Sequence, residues 1–207
     1  MSISELPSPA PLLERFVEIE HLAAGLGFPI YLVDMETTGF GQHTNVGLVE
    51  FASIFVPPAG QTTAFTTLVN PGLPIHWGAS KVHGIFADDI RDAPTFPRLA
   101  PPIRRGLKAT LVSGYNSRIF DTKLLQGNAE RYGLAPIEAP TQLDVRDIWV
   151  ALHGRKGKLE DAARYYQVQP GPAHRAHGDV LTTARVLNAM LSEHGHDTVR
   201  ESIASGR

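Results

Sequence analysis

The chain has 207 residues, of which 43% are hydrophobic and 19% charged, and this size and balance favour one ordinary globular domain with a sizeable core. A formal net charge of -2 excludes a general basic field, so nucleic acid would have to be held by a local patch or by bound metal. Because the sequence contains no cysteine, disulfides, thiolate metal sites and cysteine nucleophiles are excluded.

The sequence lacks the patterns of export and of membrane insertion. Residues 1–11 contain no basic region followed by an apolar core, and no later apolar run is long enough to cross a bilayer. We therefore expect a cytoplasmic protein that does not contact a membrane. The oligomeric state is left open by the sequence.

The first predicted elements are an arm and a helix. Residues 2–11 are rich in proline and serine, a composition that favours an extended and loosely held chain. Apolar residues then recur at helical spacing from Leu12 to Leu26, and this pattern predicts an amphipathic helix that ends at Gly27. We expect this helix to pack on the main domain.

A pair of acids follows the first long apolar run. Residues 29–33 predict a buried strand, which ends in Asp34 and Glu36 and then in a Thr-Thr-Gly turn at 37–39. Side chains alternate along a strand, so both acids are expected on the same side of the sheet. Two such carboxylates resist ionisation unless a cation lies between them, and Mg²⁺ or Mn²⁺ suits oxygen ligands. A polar strand end that runs into a solvated turn is the simpler alternative.

The rest of the chain predicts an α/β sheet flanked by helices. In chain order we expect strands at 46–56 and 62–69, helices at 75–85 and 95–107, a strand at 110–113, a helix at 118–132, a strand at 143–145, and helices at 145–152, 158–166 and 175–191. A short Pro/Gly connector makes the first two strands an antiparallel hairpin, and the later alternation is typical of α/β folds. The expected division is an arm and helix at 1–28, a main domain at 29–193 and a tail at 194–207.

Two further acids lie on inward faces of predicted helices. Asp121 shares a stripe with Leu125, and Asp179 shares one with Leu187. An Asp in a first helical turn is also stabilising without any function, which is the alternative for Asp121. Together with the strand-end pair, these acids would balance two divalent cations in the two-metal arrangement of phosphoryl chemistry. His174, in the loop before the last helix, could take a proton from the attacking water.

Three segments resemble, in order, the motifs of the DEDDh branch of the DEDD 3′–5′ exonuclease superfamily, which includes ribonuclease T and the epsilon proofreading subunit. They are V-D-M-E-T-T-G at 33–39, N-S-R-I-F-D at 116–121 and H-R-A-H-G-D at 174–179. The resemblance implies an RNase H-like mixed five-stranded sheet flanked by helices. It also implies that His174 is the general base and that the metal ligands are Asp34, Glu36, Asp121 and Asp179.

The same resemblance implies a set of substrate-binding residues. They are Thr37, Thr38, Gly39, Phe40, His83 and Asn116. His83 lies in a K-V-H-G-I segment similar to the family's segment beside the terminal nucleotide, with a structural turn histidine as the alternative. Phe40 stands where the family usually has a leucine wedge, and its ring can stack on a base. Asn116 could instead cap a turn, and Gly178, in the third motif, is expected to weaken the start of the last helix.

The resemblance implies a metal-dependent exonuclease that releases nucleoside monophosphates from 3′ ends of single-stranded nucleic acid. DNA is favoured, in repair or proofreading, and a DNA polymerase or replication complex is a candidate partner. The alternatives are trimming of RNA or short oligoribonucleotides, a phosphodiesterase for small nucleotides, and a nucleic-acid-binding module without catalysis. Discrimination between DNA and RNA depends on contacts to the 2′-hydroxyl.

Overall fold

A computed structural model describes residues 6–39, 45–197 and 199 of the chain. Phe40, predicted to contact substrate, lies outside these described residues, as does most of the predicted tail. No helix in the described part of the chain is long and apolar enough to cross a bilayer.

The described residues form a six-stranded mixed sheet with strand order β1-β4-β3-β2-β5-β6. The strands are β1 (Ala10–Pro11), β2 (Ile30–Thr37), β3 (Leu48–Val56), β4 (Thr63–Leu68), β5 (Leu111–Gly114) and β6 (Gln142–Asp144). The first four pair antiparallel, whereas β5 lies parallel to both β2 and β6. The predicted class, an α/β sheet of RNase H-like type flanked by helices, is confirmed, with one strand more than the five expected.

The helices cover both faces of this sheet. They are α1 (Val17–Leu26), α2 (Trp77–His83), α3 (Ala87–Ile90), α4 (Phe96–Lys108), α5 (Asp121–Arg131), α6 (Val145–His153), α7 (Leu159–Tyr165) and α8 (Ala176–His194). Buried residues of α1, α6, α7 and α8 form one hydrophobic cluster, and those of α4 and α5 form another. In the central strand Leu32 belongs to the first cluster and Val33 to the second, as the alternation of strand side chains requires. Asp34 and Glu36 therefore continue the face covered by α8.

The extra strand corrects the sequence-based expectation for the arm. Ala10 and Pro11 pair with β4, and the Leu12 amide donates to the Thr62 carbonyl at 3.0 Å. Because this edge pairing holds the chain extended, the first helix begins at Val17 rather than near Leu12, and Leu13 is 93% exposed. A strand of two residues is too short to show a side-chain period, so the helical spacing of the apolar residues was misleading there.

Candidate active site

Three carboxylates meet at the end of the central strand. Oxygen atoms of Asp34, Glu36 and Asp179 all lie within 4.8 Å of one another, and each of the three residues is partly buried. Strand β2 supplies the first two from one face, and the first turn of α8 supplies Asp179. Such a cluster offers only oxygen ligands, the donor set that Mg²⁺ and Mn²⁺ prefer.

Asp121 lies beside this cluster and is 4% exposed. It is the first residue of α5, and its negative charge is close enough to raise the pKa of Asp34. Burial is the main cause that holds the pKa of Asp121 above its usual range, followed by the charges of Asp144 and Glu36. The structure thus brings together four carboxylates from three chain segments.

Burial and mutual repulsion both disfavour the ionised forms of the clustered carboxylates. Burial, followed by the charges of neighbouring acids, raises the pKa of Asp34 well above its usual range. Burial likewise raises the pKa of Glu36 to about 7 and that of Asp179 to about 6, and nearby carboxylates add to both shifts. A positive partner would favour the ionised forms of all these groups, so the donor set and its electrostatics both fit divalent cations.

His174 lies on the loop before α8, and its side chain is exposed. Its backbone has φ 56°, a left-handed conformation that is strained for a non-glycine residue, and its amide donates to Asp179 Oδ2 at 3.1 Å. This hydrogen bond ties the predicted general base to a predicted metal ligand. The positive charge available on His174 is also a cause that lowers the pKa of Asp179 against the larger effect of burial.

Gly178 has a packing role that its helix propensity does not reveal. A Cβ atom at this position would lie 1.9 Å from the backbone oxygen of Pro172, so only glycine lets the loop at 171–172 lie against α8. That loop leads directly to His174. The glycine in the third motif is therefore required by close backbone approach, whereas the sequence indicated only a weakened helix start.

The variant Gly178→Ala is expected to lower the free energy of unfolding by ~3 kcal/mol, because the added methyl group forces two backbone segments apart. The displaced loop should also lower kcat. Chemical denaturation measures the first effect. Gly25→Ala, the same change at an exposed position within α1, serves as control and should not destabilise the protein. Equal effects of the two substitutions would contradict this assignment.

The turn after the acid pair is fixed by the protein itself. The Thr37 hydroxyl donates to the Gly39 carbonyl at 3.0 Å, and the Thr38 hydroxyl accepts from the Gly47 amide at 2.9 Å. His83 is 5% exposed; its Nδ1 accepts from the Ile85 amide at 3.0 Å, which leaves Nε2 to donate to the Thr37 carbonyl at 3.1 Å. Both ring nitrogens are therefore used inside the protein. Of the two interpretations of His83, this geometry favours the structural turn histidine.

Asn116 also serves an internal network. Its backbone is left-handed, with φ 65°, its amide donates to Asp144 Oδ1 at 2.8 Å, and its side-chain oxygen accepts from Arg146 at 2.7 Å. Asp144 accepts from the amides of Arg118 and Arg146 as well, so this acid organises the segment that leads to Asp121. The side chain of Asn116 does not cap α5, whose N-cap position is Phe120.

Glu50 and Arg175 are residues near the site that the sequence did not single out. Glu50 lies directly opposite Glu36 in the antiparallel pair of β2 and β3, and it is 2% exposed. Arg175 donates to it through Nη2 at 2.7 Å and through Nε at 3.0 Å. The one available signal was a charged residue in the middle of an apolar strand, since such a residue is almost never fully buried unless it is paired.

Solved structures share this fold and define its class. The chain superimposes on zinc-bound E. coli exonuclease I in complex with single-stranded DNA with a TM-score of 0.73 and 18% sequence identity. The match covers 84% of this chain and 42% of exonuclease I. This likeness shows the fold alone, an α/β sheet flanked by helices of the RNase H-like exonuclease type.

Sequence relatives place the chain in a family. The RNase_T model of the Exonuclease family matches residues 32–187, so the chain belongs to this DEDDh-type exonuclease family. The DNA polymerase III PolC-type of Caldanaerobacter subterraneus subsp. tengcongensis is 27% identical over 172 residues, 82% of this chain and 12% of that protein. Exonuclease CP81 of Escherichia phage 186 is 29% identical over an alignment of 176 positions, which covers 76% of this chain and 86% of the phage protein. The chain thus spans only about an eighth of the polymerase.

Proposed function

We propose that the chain is a metal-dependent exonuclease that removes nucleoside monophosphates from the 3′ end of single-stranded nucleic acid. The observation that carries the proposal is the meeting of oxygens from Asp34, Glu36 and Asp179 within 4.8 Å, with Asp121 beside them. Four buried or partly buried carboxylates match the formal charge of two divalent cations. A binding module without catalysis would gain nothing from holding these mutually repelling groups together.

The residues divide into ligands, a base and a turn that receives the substrate. The four carboxylates would hold two Mg²⁺ or Mn²⁺ ions, which supply an activated water and stabilise charge on the leaving oxygen when bound. His174 would take the proton of the attacking water on a ring nitrogen. The turn at 37–39, fixed by its internal hydrogen bonds, would receive the terminal nucleotide.

DNA is the favoured substrate. The exonuclease I neighbour binds single-stranded DNA, and the PolC relative is a DNA polymerase, which together support a role in repair or proofreading. A DNA polymerase or replication complex is the corresponding partner. RNA trimming is the competing assignment, because the matching family model carries the name of a ribonuclease.

The test uses matched DNA and RNA single strands of about twenty nucleotides, labelled at either end. With Mg²⁺ or Mn²⁺ we expect a 3′ label to appear at once as a mononucleotide, and a 5′ label to give a descending ladder. Chelation with EDTA should abolish both. A 3′ label that stays on long products would contradict degradation from the 3′ end. Tight binding of strands without any nucleotide release would identify a binding module, and activity on dinucleotides alone would identify a small-nucleotide phosphodiesterase.

The substitution His174→Ala is expected to lower kcat by roughly 10² to 10³-fold, which lies within the usual contribution of a positioned general base. Metal binding should be largely retained, because the side chain of His174 is exposed and its backbone amide, which the substitution keeps, is the group that donates to Asp179. Single-turnover rates at saturating Mn²⁺, compared with those of His21→Ala on the exposed side of α1, measure the effect. An unaltered rate would remove His174 from the mechanism.

A further inference from the structure

Glu50 is held by more hydrogen bonds than a surface ion pair would need. Arg175 donates to Oε1 at 2.7 Å and to Oε2 at 3.0 Å, and the Ala176 amide donates to Oε2 at 2.9 Å. Burial alone would raise the pKa of Glu50, but these bonds offset the burial, and its pKa lies below the usual range. Both oxygens of this buried carboxylate are therefore occupied by the start of α8.

This arrangement argues against a fifth metal-ligating acid. The cross-strand partner, Glu36, offers an oxygen to the acidic cluster, whereas Glu50 directs both of its oxygens to Arg175 and Ala176. Two neighbouring glutamates on one face of the sheet thus have different tasks. Glu36 lies in the cluster, whereas Glu50 accepts hydrogen bonds from the start of the helix that supplies Asp179.

The position of Arg175 decides what the pair does. It is the N-cap residue of α8, it follows His174 directly, and its carbonyl accepts the helical bond from the Asp179 amide at 2.9 Å. A rigid link from β3 to this residue fixes two things at once. It sets where the first turn of α8 lies on the sheet, and it sets where the His174 loop leaves the helix.

We propose that Glu50 and Arg175 are positioning residues, which lock the start of α8 onto β3 so that Asp179 and His174 face Asp34 and Glu36. This inference rests on the proposed function. A misplacement of about 1 Å at a reacting centre can cost on the order of 10²-fold in rate, so the rigidity of this link should appear in kcat. Neither residue needs to touch the substrate.

The same helix provides a matched control. Arg185 of α8 forms a second bidentate ion pair, in which its Nε donates to Glu14 at 2.8 Å and its Nη2 donates to Glu14 at 2.7 Å. Arg185 lies ten residues further along α8, away from the acidic cluster. Lysine keeps the positive charge but cannot reproduce the planar fork of arginine. Arg175→Lys and Arg185→Lys therefore remove the same kind of link at two places on one helix.

The experiment compares kcat, KM and Mn²⁺ affinity for the wild type and these two variants of the full chain, with Glu50→Asp as a second way to weaken the link. We expect Arg175→Lys and Glu50→Asp to lower kcat by about 10 to 100-fold, with KM within about twofold, and to weaken Mn²⁺ binding in calorimetry. Arg185→Lys should leave all three quantities within about twofold of the wild type. Melting temperatures identify a loss that is only structural.

Each contrary result has a separate meaning. If Arg175→Lys and Arg185→Lys change kcat equally after correction for the folded fraction, the link is merely structural and the inference is wrong. A rise in KM with unchanged kcat would make Arg175 a substrate contact instead, and would equally overturn the positioning role. An inactive wild type that still binds Mn²⁺ would overturn the proposed function itself, whereas normal Mn²⁺ affinity in Arg175→Lys and Glu50→Asp would count against the inference alone.

Discussion

Asparagine in place of Asp34 is expected to lower kcat by on the order of 10⁴-fold. Asp34 is the carboxylate around which the others lie, since the charges of Asp121, Asp179 and Glu36 all raise its pKa. Asparagine keeps the shape but removes the negative charge, so the cluster would bind its cations too weakly to activate water. Because metal loss also removes a contact to the substrate, this change should cost more than loss of the base His174.

Single-turnover degradation of a labelled strand across a range of Mn²⁺ concentrations measures this effect, and calorimetry gives the metal affinity without reference to activity. Asp147→Asn is the matched control, because Asp147 is an exposed acid that pairs with Arg118 and lies outside the cluster. Its rate should stay within about twofold of the wild type. If the rate of Asp34→Asn recovers fully at high Mn²⁺, Asp34 contributes only to metal affinity. A rate equal to that of the wild type at every Mn²⁺ concentration would refute the proposed mechanism.

Local periodicity predicted the faces on which the acids lie. The two-residue repeat places Asp34 and Glu36 on one side of β2, and the helical repeat turns Asp121 and Asp179 inward. These patterns are local, so each can be read from a few neighbouring residues. That the acids meet in space was inferred from their inward faces and from the charge balance with two cations, and the resemblance of the three motifs to the exonuclease family implies the same arrangement.

The interactions that were missed are those that link distant parts of the chain. Glu50 and Arg175 are 125 residues apart, and their contact depends both on the register of β2 with β3 and on the placement of α8. Asp144, the last residue of β6, likewise accepts hydrogen bonds from the backbone amides of Asn116, well before the strand, and of Arg146, directly after it. Hydrogen bonds of this kind have no sequence period, so a single sequence indicates the unusual residue but not its partner.

The variant Glu36→Gln is expected to abolish activity while stabilising the metal-free protein at pH 8. Burial, followed by the charges of Asp179 and Glu50, raises the pKa of Glu36 from 4.5 to about 7 against an opposing effect of Arg175. The folded state therefore binds the proton more tightly than the unfolded state does. The stability associated with this group is fully present below about pH 4.5 and is lost as the pH rises through about 7.

Each tenfold change in proton affinity corresponds to about 1.4 kcal/mol, so neutral glutamine should raise the free energy of unfolding by ~3 kcal/mol at pH 8. The gain should shrink towards zero near pH 4.5. Urea denaturation in EDTA at the two pH values measures it. Glu50→Gln is the matched control with the opposite sign, because Arg175 holds the pKa of Glu50 below its usual range. Loss of the negative partner of Arg175, whose side chain is partly exposed, should destabilise the protein at pH 8 by about 2 kcal/mol.

Glu36 and Glu50 face each other across neighbouring strands. Opposite changes in the free energy of unfolding for Glu36→Gln and Glu50→Gln would show that the two glutamates have different roles. Stabilisation at Glu36 would mean that the folded protein tolerates an uncompensated charge there, which only function can explain. Destabilisation at both positions would instead mean that Glu36 already has a sufficient partner within the protein. In that case the electrostatic reason for a divalent cation at this strand end would be lost.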